Sequence, residues 1–264
     1  MPDEIHLEWS FEPADLFEER AELQIGGCTF VIDAGTVICR APFEGDPAPA
    51  GVLWGFCNAL HQRVNAVLLA AQTLEHKAYT LSGAKNTVRL SPDGGRHFFV
   101  LAEGLRLKTS LSSLDVQQAD GAGNVILNTR RDRIGKRIAL AQSAGEHITD
   151  PAANSILRSY AAAVRDPGNE LIHLYEIRDA LADRLGGEHE ACTALGISNT
   201  KWRRLGTLAS VEPLQEGRHR GQHLGVLRAA TPEELTEARS IARMMIEAYL
   251  RYLTRANTSG NSWA

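Results

Sequence analysis

The chain of 264 residues contains no uninterrupted apolar run near the roughly 18 residues that a membrane span needs. Its first ten residues carry Asp3, Glu4 and Glu8 where a leader peptide has a basic start and an apolar stretch, so no membrane partner and a cytoplasmic location are expected. Cysteine is scarce: Cys28, Cys39, Cys57 and Cys192 form no C-x-x-C pair, and their gaps match no zinc or disulfide framework. They read as buried thiols, none of them in a caspase- or papain-type nucleophile motif. A Gly-rich phosphate loop is missing, which argues against a nucleotide site, and no H-E-x-x-H metal motif occurs. Lysine is also rare, 5 residues against 23 arginines. Arginine is the better bidentate ligand for phosphate, although GC-rich codon usage produces the same bias.

Hydrophobic residues at 44% and charged residues at 23% exclude a disordered chain, a coiled coil or a collagen. The formal net charge of −4 is unevenly placed. Residues 151–264 hold 14 basic and 13 acidic residues, whereas residues 1–150 hold 14 and 19. Neither half is a polybasic nucleic-acid module, so any nucleic-acid contact must come from a local patch.

The patterning predicts an α+β chain with a mixed α/β domain over 1–148 and a helical domain over 149–264. In the first, Leu23, Ile25, Phe30 and Ile32 alternate with polar residues around Gly26-Gly27, and Thr36 to Cys39 follows a further turn. From Gly51 to Thr80 apolar residues recur at helical spacing, which predicts one long helix covering a sheet. Strands are expected again at Thr87–Leu90, His97–Leu101, Leu105–Thr109, Leu114–Gln117 and Val125–Leu127, antiparallel because the connections are too short for crossovers. Five basic residues between Arg130 and Arg137 suggest a solvated helix face or a phosphate contact.

Beyond Ala152 helix signals take over. Ile156 to Val164 forms a first helix ended by Asp166-Pro167-Gly168, Leu171 to Leu185 a second closed by Gly186-Gly187, and Asn199 to Ala209 a third. The last helix is the best specified: Thr231-Pro232-Glu233-Glu234 is a capping box with proline at the first helical position.

Just upstream, Glu216 to Gly225 packs Arg218, His219, Arg220 and His223 together. Histidine exchanges a proton near neutral pH, and arginine holds a phosphate oxygen without losing its charge. Together they suffice for RNA cleavage without a metal. The segment resembles the R-x(4-6)-H signature of HEPN domains, with Arg218 and His223 at the fixed positions and His219 where the family has a polar residue. Arg184 and His189 have the same spacing, but only the Arg218 copy is followed by a glycine, Gly225, and a capped final helix. The stretches Ser159 to Pro167 and Leu171 to Glu176 also look like the family's paired opening helices.

The resemblance covers about residues 152–255 and implies an all-helical HEPN-like bundle acting as a metal-independent endoribonuclease. It implies toxin or phage-defence roles, a 2′,3′-cyclic phosphate product, RNA and a protein partner or antitoxin as partners, and a site built across a homodimer. No cofactor and no metal are implied. On this reading Arg218 stabilises the phosphorane, His223 acts as acid or base, and His219 orients the phosphate or shares the proton work. Arg203, Arg204 and Arg220 would guide RNA. On a regular helix a five-residue step turns about 140°, so Arg218 and His223 would diverge unless the helix breaks at Gly221 or a second copy completes the site. Alternatively Arg218 pairs with Glu212 or Glu216, and the domain is an inactive dimerisation or interaction module beside an N-terminal ligand- or partner-binding domain. A zinc pair at His219 and His223 is the weakest reading.

Overall fold

The computed structural model describes residues 3–44, 50–90, 96–100, 117–119, 125–222 and 225–260. The architecture is α+β, and the chain divides into two compact units: residues 1–71 with 79–146, and residues 72–78 with 147–264.

The first unit opens on β1 (Asp3–Glu12), where Ile5, Leu7, Trp9 and Phe11 are buried at every second position. The strands β2 (Ala21–Ile25), β3 (Cys28–Asp33) and β4 (Thr36–Phe43) repeat that alternation. The turn at Gly26-Gly27 has both residues at positive φ, a conformation that glycine adopts without strain. Next come α1 (Ala50–Glu75), β5 (Thr80–Leu81), β6 (Asn86–Leu90) and β7 (Arg96–Val100). They complete a sheet of order β2-β3-β4-β1-β6-β7, with β5 also on β1, and every pairing is antiparallel as expected. A separate ribbon joins β8 (Gln117–Ala119) to β9 (Val125–Asn128). The strand expected at 105–109 and the start of the one expected at 114–117 lie outside the described residues.

One face of the sheet is apolar, and α1 buries Leu60, Val64, Val67 and Leu68 against it, with Phe56 edge-on to Phe43. Each such side chain contributes about 1.5–3 kcal/mol of burial. The helix is shorter than its apolar pattern suggests, because His76 takes a left-handed φ of 50° and ends it before Thr80. Then α2 (Thr129–Glu146) carries the basic run. It is not simply a solvated face: Arg133 donates to both carboxylate oxygens of Glu18 at 2.7 and 2.6 Å, and Arg137, only 2% exposed, lies 3.2 Å from the same carboxylate. The Arg133 hydrogen bond, outweighing burial, lowers the Glu18 pKa.

The second unit is helical: α3 (Pro151–Arg165), α4 (Glu170–Leu185), α5 (Glu188–Leu195), α6 (Asn199–Gly206) and α7 (Pro232–Gly260). Asp150 caps α3 by accepting from the Ala153 amide at 2.8 Å, and Gly186 ends α4 in the left-handed region. Apolar faces from α3, α4 and α7 meet in one core that includes Ile156, Leu174, Ile177, Met245 and Tyr249. Residues 72–78 belong to this unit, and His76 lies edge-on to Tyr160 of α3 with its Nδ1 3.3 Å from the hydroxyl. Its Nε2 is 3.5 Å from Glu170, a buried carboxylate that also receives Arg239.

Candidate functional site

Between α6 and α7 the chain leaves regular structure. A π-helical turn at Thr207–Val211 follows α6, and the segment beyond it is tied off as a closed loop. Leu214 pairs with Arg228 in an isolated parallel bridge: the Gln215 amide donates to the Arg228 carbonyl at 2.9 Å, and the Arg228 amide to the Pro213 carbonyl at 3.0 Å. Leu214 is buried and anchors the entry. The Arg218 amide donates to the Ala209 carbonyl at 2.7 Å, and Gly217 is what lets these backbones approach. A Cβ there would stand 3.1 Å from the Ala209 oxygen and 3.2 Å from the Leu214 oxygen.

The exit is equally well held. Thr231 and Glu234 form the expected reciprocal capping box, the Thr231 amide donating to Glu234 at 2.8 Å and the Glu234 amide to the Thr231 hydroxyl at 3.2 Å. Arg228 adds two hydrogen bonds to Glu234, both 2.7 Å. These, with the Thr231 amide, pull the Glu234 pKa down to about 2. Glu216 accepts from the Ala230 amide at 3.0 Å. A loop whose ends are fixed this tightly presents its middle, residues 217–222, at defined places.

That middle holds the Arg/His cluster. Arg218 lies in a turn, and its guanidinium stands 4.3 Å from the centre of the Tyr175 ring while Nη1 donates to Asp179 at 3.2 Å. Its partner is therefore Asp179, whereas Glu212 pairs with Arg228 and Glu216 caps the loop exit. The Arg218 side chain remains 38% exposed. His219 is exposed, and its carbonyl accepts from the Gln222 amide at 2.9 Å. Arg220 begins a single turn of 3-10 helix and donates to the carbonyls of Gly217 and Gly168 at 3.0 and 3.1 Å and to the Asn169 side chain. His223 lies outside the described residues. Arg218, His219 and Arg220 thus share one loop, but that loop is not the regular helix on which a five-residue step would be measured.

The two outer arginines are engaged by carboxylates. Arg203 reaches Glu188 at 3.4 Å, and Arg204 reaches Glu237 at 2.9 Å inside a cleft of about 650 Å³ lined also by Lys201, Ile241 and Met244. Sequence reasoning missed Tyr175 and Asp179, although their four-residue spacing on α4 puts them on one face. It also missed a polar chain beside Arg220. Asn169 donates to Asp166 at 2.7 Å, Asp166 is 3.4 Å from His173, and His173 is 3.5 Å from Glu176, which accepts from Ser159 at 3.1 Å.

Chemically, this loop offers one cation on an aromatic face, one cation locked by backbone acceptors and one exposed imidazole. The Arg218–Asp179 ion pair is exposed, where such a pair is worth only about 0–1 kcal/mol and an incoming anion could displace the carboxylate. No family model, curated protein or solved structure matches the chain. Among the described residues no helix is long and apolar enough to cross a membrane.

Proposed function

We propose that the second unit is a HEPN-like domain and that the chain is an endoribonuclease working without a metal. The observation that carries this reading is the closed loop between α6 and α7, which gathers Arg218, His219 and Arg220 in front of a capped final helix. In the mechanism Arg218, released from Asp179 by the substrate phosphate, stabilises the charge of the phosphorane. His223 exchanges the proton of the 2′-hydroxyl or of the leaving 5′-oxygen, and His219 orients the phosphate or shares that transfer. Attack by the 2′-oxygen forms the new O–P bond as the 5′-oxygen departs, giving a 2′,3′-cyclic phosphate. Two copies related by a twofold axis would bring two such loops together.

A second reading has a specific observation behind it: Arg203, Arg204 and Arg218 each face a carboxylate, as in an inactive interaction module. Incubating the purified full chain with RNA in EDTA separates the two. The nuclease reading expects cleavage to cyclic phosphate ends and a loss of about 10²–10⁴-fold in His223→Ala. Intact RNA, or unchanged cleavage in that variant, overturns it.

A further inference from the structure

The first unit holds a group of thiols unconnected with the Arg/His loop. Cys28 begins β3 directly after the Gly26-Gly27 turn, and Cys39 lies on β4. The register pairs Phe30 with Cys39, so Cys28 and Cys39 are diagonal neighbours on the same buried face. Arg63 of α1 completes the cluster, its Nη1 3.7 Å from the Cys28 sulfur. The turn is shaped to admit that guanidinium. A Cβ on Gly26 would stand 2.7–2.9 Å from three Arg63 atoms, so the absent side chain is the space that Arg63 occupies.

We infer that Cys28 and Cys39 are a two-thiol oxidation site, with Cys28 oxidised first by a hydroperoxide and Cys39 closing the disulfide. The order follows from access and charge. Cys28 retains 4% exposure at the end of a hairpin whose Gly27 borders open space, while Cys39 has none. The Cys39 thiol hydrogen bond, with the Arg63 charge and against burial, lowers the Cys28 pKa to about 7. The same hydrogen bond and its own burial push Cys39 up. Cys28 is thus the more readily ionised of the two sulfurs, and Cys39 keeps its proton.

The chemistry balances. The Cys28 thiolate attacks one peroxide oxygen, the O–O bond breaks, and Cys28 becomes a sulfenic acid as hydroxide leaves. The Cys39 sulfur then attacks the sulfenic sulfur, the S–S bond forms, and the hydroxyl departs with the Cys39 proton as water. Two electrons pass from the two sulfurs to the peroxide. Diagonal neighbours are about 7–8 Å apart between Cα atoms, at the edge of the usual disulfide span, so closure shifts β3 along the already paired β4. A bond held under that strain is readily reduced, which suits a reversible switch.

The test treats the native full chain with hydrogen peroxide, then maps its cysteine peptides after denaturing alkylation. The expected product is a Cys28–Cys39 cross-linked peptide that dithiothreitol reverses, with Cys192 still alkylated. Cys39→Ser keeps a hydrogen-bond donor but cannot close the bridge, so a sulfenic acid trappable by dimedone accumulates on Cys28. The pH midpoint of Cys28 alkylation is expected near 7 and rises in Arg63→Gln. Four thiols left unmodified, a bridge to Cys57 instead of Cys39, or no trappable sulfenic acid in Cys39→Ser overturns the assignment.

Discussion

Glu170 is a buried carboxylate in the helical unit, and its removal gives a sharp prediction. The residue is 1% exposed and receives Arg239 through two hydrogen bonds of 2.5 and 2.7 Å. Glu170→Gln keeps the volume, turns one acceptor into a donor that faces the guanidinium, and removes the negative charge. Breaking a buried pair in this way costs about 3–5 kcal/mol, and the lower end applies because the Arg239 side chain is 30% exposed. Arg239→Gln is expected to cost more, since it leaves a carboxylate with almost no access to water beside only the His76 ring, 3.5 Å away. Glu170→Gln with Arg239→Gln restores a neutral hydrogen-bonded pair, so the double variant should cost well below the sum. Peptide-resolved hydrogen exchange reads the effect locally: a loss of about 3 kcal/mol raises the exchange of protected α3, α4 and α7 amides about a hundredfold. Single variants within about 0.5 kcal/mol of the parent, or costs that simply add, would refute the argument that this charge pair is buried and coupled.

Three further predictions follow from groups around the core. Burial lowers the His76 pKa from 6.5 despite the facing Glu170 carboxylate, so the unfolded chain binds the extra proton first. Stability of the second unit should therefore fall as pH drops below about 6.5, and urea titrations of His76→Gln should show a smaller slope there. Glu234, depressed from 4.5 to about 2, contributes stability above 4.5 that is lost as pH falls towards 2. Thermal melts of Glu234→Gln and the parent should accordingly differ near neutrality and converge in acid. In Gly145→Ala the new methyl meets Ile25 Cδ1 at 2.5 Å and Val67 Cγ2 at 3.2 Å. Its overpacking cost of about 1–3 kcal/mol exceeds the gain of about 1 kcal/mol in helix propensity, so Tm should fall, and Ile25→Val should recover it.

Local signals carried most of the helical unit into the sequence reading. The capping box at Thr231, the stop at Gly186 and the apolar stripes of α3, α4 and α7 all depend on residues a few positions apart. Strand β1 was legible too, since Ile5, Leu7, Trp9 and Phe11 alternate cleanly, yet the acidic start drew the reading away from it. The short α5 lacks a capping side chain at Gly187 and carries little periodicity over eight residues. What stayed hidden is tertiary. No turn residue ends α1 at His76; its contacts with Tyr160 and Glu170 hold that conformation. Nothing near Arg137 announces that Glu18 meets it, and nothing near Arg218 singles out Asp179, 39 positions earlier.

In the proposed nuclease Arg218 handles the scissile phosphate. Single-turnover cleavage of RNA in EDTA by the full chain, compared with Arg218→Ala whose circular dichroism matches the parent, tests this role. Cleavage by the parent and a fall of about 10²–10³-fold in the variant are expected, the usual cost of losing one donor to a developing oxyanion. Equal rates in the two proteins would contradict it.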